Sequence, residues 1–365
     1  MNRLILIGNG FDLAHDFKTG YKDFIFDYFQ NALKVFYLKK VYKDELFELS
    51  YGGAYTYDYK EEPKLPSTIE EIKSTIEDYL TPPSGRMVKV NVVFHSAFFK
   101  SIYNSCSDLG WVDIENKYFE HLVSNKSGDV KLLNNDFKII TLKLEEYLLS
   151  LKIDDEIFNE NNFSRVFLDP ILKDDVVTVE LEKDKRPNDM CILNFNYTST
   201  VKKYLSDFKI QRTLQNEEST LLEIYIHGEL GNEDNPIVFG FGDERDKDFL
   251  NFEDLKKNDL FTHIKSFWYS QTSNYHNLIR FIESDDFQVY IIGHSCGLSD
   301  RTMLNHIFEH ERCKSIKMFY HKRNDGTDDF TEKTFNIYRH FKDKGMMRLK
   351  LVPKDKSYPL PKPNR

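Results

Sequence analysis

The sequence predicts an α/β protein: a parallel, Rossmann-like sheet flanked by helices, with a large helical insertion after the first strand–helix unit. Three observations predict it. The chain opens on an apolar run, Leu4-Ile5-Leu6-Ile7, that breaks at Gly8-Asn9-Gly10. Further short apolar runs return only after Asp189, with helical stretches between them. Between the two lie long segments whose apolar residues recur at helical spacing.

In chain order, Leu4–Ile7 reads as a buried parallel strand and Gly8–Gly10 as its turn. A helix is expected from Asp12, whose carboxylate is placed to cap free N–H groups. A strand, a glycine turn and a helix N-terminus together suit a phosphate. The full GxGxxG spacing is absent, since Ala14 and His15 follow, and an ordinary strand-to-helix turn is the competing reading. Residues from Tyr21 to about Tyr51 read as helical, with Asp23, Phe24, Phe26, Asp27 and Phe29 at amphipathic spacing. Tyr51–Pro66 reads as a loop. Ser67, with Glu70 at capping-box spacing, opens a helix to Leu80, and Pro82-Pro83-Ser84-Gly85 stops it. Helices follow across Val93–Tyr103 and Phe137–Leu151. Strands are expected at Met190–Phe195, Leu222–His227, Ile237–Phe241, Val289–Gly293, Ile316–Tyr320 and Met347–Val352. Glu253–Glu283 reads as mostly helical, a second insert or a lid, and Lys354–Arg365 as an extended, basic, proline-rich tail. The boundaries that follow are a core of residues 1–20 and 185–353, an insertion of 21–184 and a tail of 354–365.

Composition narrows the function classes. The 365 residues fit one large domain or two ordinary ones. With 50 Lys and Arg against 59 Asp and Glu the net charge is -9, which argues against general coating of nucleic acid or anionic membrane. The 30 Phe and 21 Tyr are read as core rather than as base-stacking surfaces. Cys106, Cys191, Cys296 and Cys313 show no CxxC spacing, so neither a zinc ribbon nor a disulfide framework is expected, and a reducing cytoplasm fits. No secretory leader is expected at the start, and no run approaches the roughly 20 apolar residues of a membrane helix.

In an open parallel sheet, ligands bind beyond the carboxyl ends of the strands. Four expected strand ends carry residues that make poor strands: Gly8-Asn9-Gly10-Phe11-Asp12, Asn194-Phe195-Asn196-Tyr197-Thr198, His227-Gly228-Glu229, and Gly293-His294-Ser295 with Asp300 behind it. Singly, each suits a turn or a buried histidine. Together they point to a shared site.

The segments GNGFDLAHDFKTGY, FNYT, IHGEL and PIVFGFGDE closely resemble the bacteriophage abortive infection AbiH family, over most of the chain. More remotely, the same landmarks in the same order look like the sirtuin-like NAD-binding fold. Gly8, Gly10 and Phe11 resemble its glycine-rich first turn, Asn196 its later asparagine, and His227-Gly228 its His-Gly pair. Pro236, Val238, Phe241, Gly242 and Glu244, with Asp243 inserted, resemble its next segment, and Gly293 and Ser295 its Gly-x-Ser turn. The chain departs from sirtuin deacetylases in lacking their four-cysteine zinc module, in Asp12 where a small residue stands, and in Thr198 where an Asp stands. Acyl-lysine deacylation is therefore not expected.

The resemblance implies an antiphage protein that hydrolyses NAD, with no metal. Cleavage of the nicotinamide–ribose bond passes through an oxocarbenium-like state, so water must be held at the anomeric carbon and a base must take its proton. His227 suits the base, or a group polarising a ribose hydroxyl. Asn196 suits the residue that fixes ribose and water. Gly8, Asn9, Gly10 and Phe11 would hold the pyrophosphate, and Asp12 would bond ribose or cap its own helix. Asn194, Tyr197, Gly228, Gly242, Glu244 and Gly293 complete the expected nucleotide site. Ser295 and Asp300 would lie at the adenosine side, or Asp300 would cap the helix beginning near Arg301. A phage-encoded trigger and a homo-oligomer are compatible with this reading.

Two rivals are set beside it. Gly293-His294-Ser295-Cys296-Gly297 satisfies GxSxG after a strand, with Asp325 and His340 following in hydrolase order, although Gly297–Asp300 looks like a further turn where a nucleophile elbow needs a helix. A binding protein that holds a nucleotide or ADP-ribose without turnover is the other. His306, Glu309 and His310 match HxxEH, but no third ligand is evident and a solvated helix face is the expectation.

Overall fold

In the computed structural model of the protein, residues 1–52, 64–81, 89–106, 111–125, 130–152, 163–205, 219–244 and 246–361 are described. The expected stop at Pro82–Gly85, most of the Tyr51–Pro66 loop and the last four residues of the tail lie outside them. The strands among the described residues are β1 (Asn2–Ile7), β2 (Val41–Lys43), β3 (Phe47–Gly52), β4 (Lys89–Phe94), β5 (Met190–Asn194), β6 (Leu221–Tyr225), β7 (Phe287–Ile292), β8 (Cys313–Tyr320) and β9 (Tyr358–Pro359). The chain divides into two compact units. One comprises Met1–Lys18, Leu148–Lys256 and His263–Arg365, the other Thr19–Tyr147 and Lys257–Thr262.

The first unit is built on a six-stranded sheet in the order β6-β5-β1-β7-β8-β9, parallel throughout. β1, β5 and β7 are buried along their whole length, as apolar runs covered on both faces must be. Alternate residues feed the two faces. Leu4, Leu6, Leu193, Val289 and Ile291 pack against the helices Asn274–Ser284, Arg301–Glu309 and Phe330–His340. Ile5, Ile7, Ile192 and Ile292 pack with Phe11, Phe163, Phe167 and Tyr204 on the other. Chain order runs outward from β1 to β5 and β6, then returns to β1's other side for β7. The order of the chain therefore reverses beside β1, the kind of position beyond which open parallel sheets hold ligands.

Two expected strands are not strands. Met347–Val352 continues a helix, Lys344–Lys350, because Asp343 caps it by accepting from the Gly345 and Met346 amides at 2.7 and 3.4 Å. Ile237–Phe241 forms no strand and makes only a parallel bridge from Phe241 to Ile264. A Cβ on Gly240 would lie 2.1 Å from the His263 carbonyl oxygen, so the two segments meet at backbone distance. Of the tail expected to be extended, Lys354–Lys356 instead form a 3-10 turn, and Tyr358-Pro359 adds the edge strand, where a proline's missing donor costs no ladder bond.

The second unit holds the three-stranded sheet β2-β3-β4, antiparallel, which the sequence reading missed. The helix from Tyr21 ends at Lys39, and Lys40 takes φ 65 as its left-handed cap. The next residues alternate, with Phe47 and Leu49 buried and Glu48 and Ser50 less so, which is strand periodicity. Asp44 fixes the β2–β3 turn by accepting from the Leu46 and Phe47 amides, each at 2.9 Å, and from the Tyr28 and Tyr42 hydroxyls. β4 occupies Lys89–Phe94, so the helix expected from Val93 starts at Ala97, capped by Ser96. The helix Ile69–Leu80 is capped by Thr68 with Glu71, one residue after the expected Ser67 and Glu70. Phe29 packs against Phe47, Phe99 and Tyr103 at 5.2, 5.6 and 5.2 Å, so aromatics here are core.

Candidate functional site

The glycines of the first turn are required by the neighbouring turn. A Cβ on Gly8 would lie 2.5 Å from His294 Cα, and one on Gly10 2.7 Å from the Gly293 oxygen. Gly293, at φ 73, lies so close that its own Cβ would be 2.1 Å from the Phe11 nitrogen. Backbone bonds seal the contact: Gly8 N–H donates to the Ile292 oxygen at 3.1 Å, Gly10 N–H to the Gly293 oxygen at 2.8 Å, and Phe11 N–H to the Gly8 oxygen at 2.8 Å. The amides of Gly8, Gly10 and Phe11, expected to cradle a pyrophosphate, each donate to a backbone oxygen of the protein. Asn9 is half-buried beside them. The Phe11 side chain is fully buried, 4.9 Å from Phe163, and is a core residue.

Asp12 also departs from expectation. The helix Asn9–Ala14 starts with Gly8 as its N-cap, so Asp12 sits inside it and caps nothing. Its carboxylate accepts from Thr198 Oγ1 at 2.6 Å, while Oδ1 is buried without a partner. Burial pushes its pKa up to about 6, with Thr198, Thr200 and Asn196 opposing. The raised folded value means that the ionised form is disfavoured in the native state. That cost is absent below about pH 4 and complete above about pH 6. Asp12→Asn is thus expected to stabilise the protein at pH 7.5, by up to about 3 kcal/mol, and not at pH 4. Thermal unfolding at both pH values checks it; a gain of equal size at pH 4 contradicts it.

The asparagines after β5 organise the adjoining turn. Asn194 Oδ1 accepts from the Asn196 amide at 2.9 Å, and Asn196 Nδ2 donates to the Gly8 oxygen at 3.1 Å. The Tyr197 hydroxyl donates to the Val238 oxygen at 3.4 Å. Gly228, at φ 87, lies where a Cβ would be 2.1 Å from the Pro236 oxygen. Gly242 accepts from the Thr302 amide at 3.3 Å, and the Glu244 amide donates to Thr302 Oγ1 at 3.2 Å, which ties that loop to the helix start.

Beyond these turns lies a buried cluster centred on Asp300. Its Oδ1 accepts from Lys265 Nζ at 2.9 Å and faces His227 Nε2 at 3.2 Å. Its Oδ2 faces His294 Nε2 at 3.6 Å. The Tyr269 hydroxyl is 3.3 Å from His227 Nε2, and the Phe195 ring packs edge-on to His227 at 5.1 Å and against His294 at 4.1 Å. Asp300 occupies the N-cap position of its helix but makes no capping bond, because its carboxylate turns to these groups. Burial alone would raise its pKa. The Lys265 ammonium and His227 reverse that and hold it well below the usual carboxylate range. Burial, then Lys265, lower His227 to about 4, so this imidazole is neutral at physiological pH.

Sequence reading placed His227 and Asp300 in the site and held His294 only as part of a polar strand end without a role, but passed over Lys265 and Tyr269. His294 stood inside the GHSCG pattern. Lys265 carries no pattern at all: the Phe241 segment places it, with Phe241 N–H donating to the His263 oxygen at 3.1 Å and Lys265 N–H to the Phe241 oxygen at 2.9 Å.

The nucleophile-elbow rival finds no triad. Ser295 is exposed, with its carbonyl accepting from Asn336 Nδ2 at 2.9 Å. His340 Nε2 bonds the Cys296 oxygen at 2.8 Å, and Asp325 accepts from its own turn at Thr327. A 3-10 turn, Leu298–Asp300, stands where a helix should follow. His306 and His310 take different partners, Tyr275 and Glu283. The four cysteines are free and buried. Among the described residues, no helix is long and apolar enough to cross a membrane.

Over residues 4–322 the chain matches a family model described as Bacteriophage abortive infection AbiH. That stretch includes every residue of the Asp300 cluster. No curated protein and no solved structure matches the chain.

Proposed function

The chain belongs to the bacteriophage abortive infection AbiH family, whose role is antiphage defence, and from that premise we propose that it acts by hydrolysing NAD in infected cells. The observation that carries the reading is a neutral imidazole, His227, braced by a carboxylate–ammonium pair at the carboxyl end of a parallel sheet. Numbered along the chain, the strands of that sheet run 3-2-1-4-5-6, the order of doubly wound sheets that bind dinucleotides at the reversal point.

In the reaction, the bond from C1′ of the ribose to the nicotinamide nitrogen breaks, and its electrons leave with nicotinamide. Water forms the new bond to C1′, giving ADP-ribose, and gives up one proton to His227. Because the leaving group departs first, the water meets an oxocarbenium-like carbon and loses its proton late. A weak base suffices, and an imidazole that never charges near neutrality is always ready to accept. Asn196, beside the first turn, is positioned by its bond to Gly8 and offers its amide oxygen to a ribose hydroxyl. With the Gly8, Gly10 and Phe11 amides bonded within the protein, the first turn contributes its shape to this site.

Metabolite measurement tests the reading. Cells carrying the protein are expected to lose NAD after phage infection, with nicotinamide and ADP-ribose appearing in equal amounts. Protection from phage with NAD unchanged overturns it. In that case, thermal stabilisation of the purified protein by NAD or ADP-ribose would identify a nucleotide-binding module instead.

A further inference from the structure

Two imidazoles and one ammonium converge on a single carboxylate, and their hydrogen bonds leave one ring nitrogen free to work. His294 Nδ1 accepts from the Cys296 N–H at 3.0 Å, so its proton sits on Nε2, toward Asp300. His227 Nε2 faces the Asp300 oxygen that also binds Lys265. An ionised carboxylate only accepts, so the proton of neutral His227 also sits on Nε2, and Nδ1 carries the lone pair. No hydrogen bond among the described residues reaches His227 Nδ1. Nor is it among the sealed, unpartnered side-chain atoms, where His340 Nδ1 is found. His227 as a whole is 5 % exposed.

Lys265 is what makes this tautomer stable. Its side chain is almost wholly buried, and its backbone is clamped to Phe241. Without its charge, Asp300 would be a carboxylate sealed from water beside two neutral rings. Such a group takes up a proton. A protonated Asp300 donates, and it would donate to His227 Nε2, sending the imidazole proton to Nδ1 and removing the lone pair there.

We propose that Lys265, acting through Asp300, is a positioning residue that holds His227 in the Nε2–H tautomer, so that Nδ1 is the atom that takes the proton from water. That last step rests on the reading of His227 as the base. The groups facing His227 are Lys265, Asp300, His294 and Tyr269.

The test reads the imidazole directly and needs no turnover. The full-length protein labelled with 15N at histidine is followed by NMR, with His227→Gln assigning the signal. The expected result at pH 7 is an Nε2–H pattern for His227 that persists to about pH 5. In Lys265→Met, the His227 titration midpoint is expected to rise by about one pH unit or more, or the ring to show the Nδ1–H pattern. Where Lys265→Met does not fold, the double variant Lys265→Met/Asp300→Asn removes both charges together, and a mixture of tautomers is expected there. An Nδ1–H pattern in the wild-type protein overturns the proposal. So does an unchanged tautomer and midpoint in whichever variant folds. If the NMR result holds while NAD is untouched in cells, the tautomer assignment stands and the NAD reading fails.

Discussion

His227→Gln is expected to slow NAD loss about 10²–10⁴-fold while leaving the protein folded, the usual range for removing a general base. Glutamine fills much of the same volume, and its amide N–H can still donate to Asp300 Oδ1, the partner 3.2 Å from Nε2 in the wild type. What it cannot supply is a basic lone pair at the Nδ1 position. The histidine's own pH dependence gives a second readout. With its pKa near 4, the wild-type rate is expected to stay level as pH falls from 8 to about 5, and to drop below that as Nδ1 is protonated. An acid limb near pH 6.5, the ordinary imidazole value, would show that burial is not controlling this group. Equal NAD loss by His227→Gln and the parent would remove His227 from the chemistry.

Gly293→Ala is expected to be strongly destabilising, costing about 2–5 kcal/mol. Two terms add. A left-handed backbone at φ 73 costs a non-glycine residue about 1–2 kcal/mol. The new methyl would meet the Phe11 nitrogen at 2.1 Å and the Gly10 carbonyl carbon at 2.6 Å, and forcing backbone apart costs about 1–3 kcal/mol more. That sum is a large share of the roughly 5–15 kcal/mol that keeps a protein folded. Gly326→Ala separates the terms. Its φ of 86 carries the same strain, but nothing lies within 4 Å of the added Cβ. Urea unfolding of both variants should show a clearly larger loss at Gly293. Similar losses would mean that the two turns part easily, and the close packing of β1's turn on β7's would carry no weight.

The consequence reaches the site. The contact that excludes a methyl at Gly293 also sets His294 one residue later, and His294 in turn faces Asp300. The opening GNG was legible as a turn that needs glycine. What the structure adds is that the glycines admit another strand's backbone, with the Gly8 and Gly10 amides donating to Ile292 and Gly293.

Most of the parallel sheet was legible, because β1, β5, β7 and β8 each carry a short apolar run, Leu4–Ile7, Cys191–Leu193, Val289–Ile292 and Met318–Tyr320, that survives the buried polar residues Arg3, Gln288, Ser315 and Lys317 beside it. The failures came where local pattern is ambiguous. Met347–Val352 has strand-like alternation, yet Asp343 four residues earlier was a visible cap that favoured a helix. Phe47–Leu49 alternate clearly but lay within a stretch read as helical, and Val90–Val92 lay just before the helix read from Val93. Ile237–Phe241 is apolar enough for a strand, and its glycine was the sign of a close backbone approach.

By itself the sequence determined the family, the α/β class and the strand ends that carry Asn196, His227 and Asp300, because each is written in neighbouring residues. Only the tertiary structure decided the strand order, the loss of the first turn's amides to β7's turn, and the arrival of Lys265 at Asp300. Lys265 and Asp300 lie 35 residues apart and His227 is farther still. Whether a buried carboxylate keeps its charge, and which imidazole nitrogen keeps its proton, depends on groups that meet only in space, since Coulomb attraction and desolvation follow distance and burial, not order along the chain.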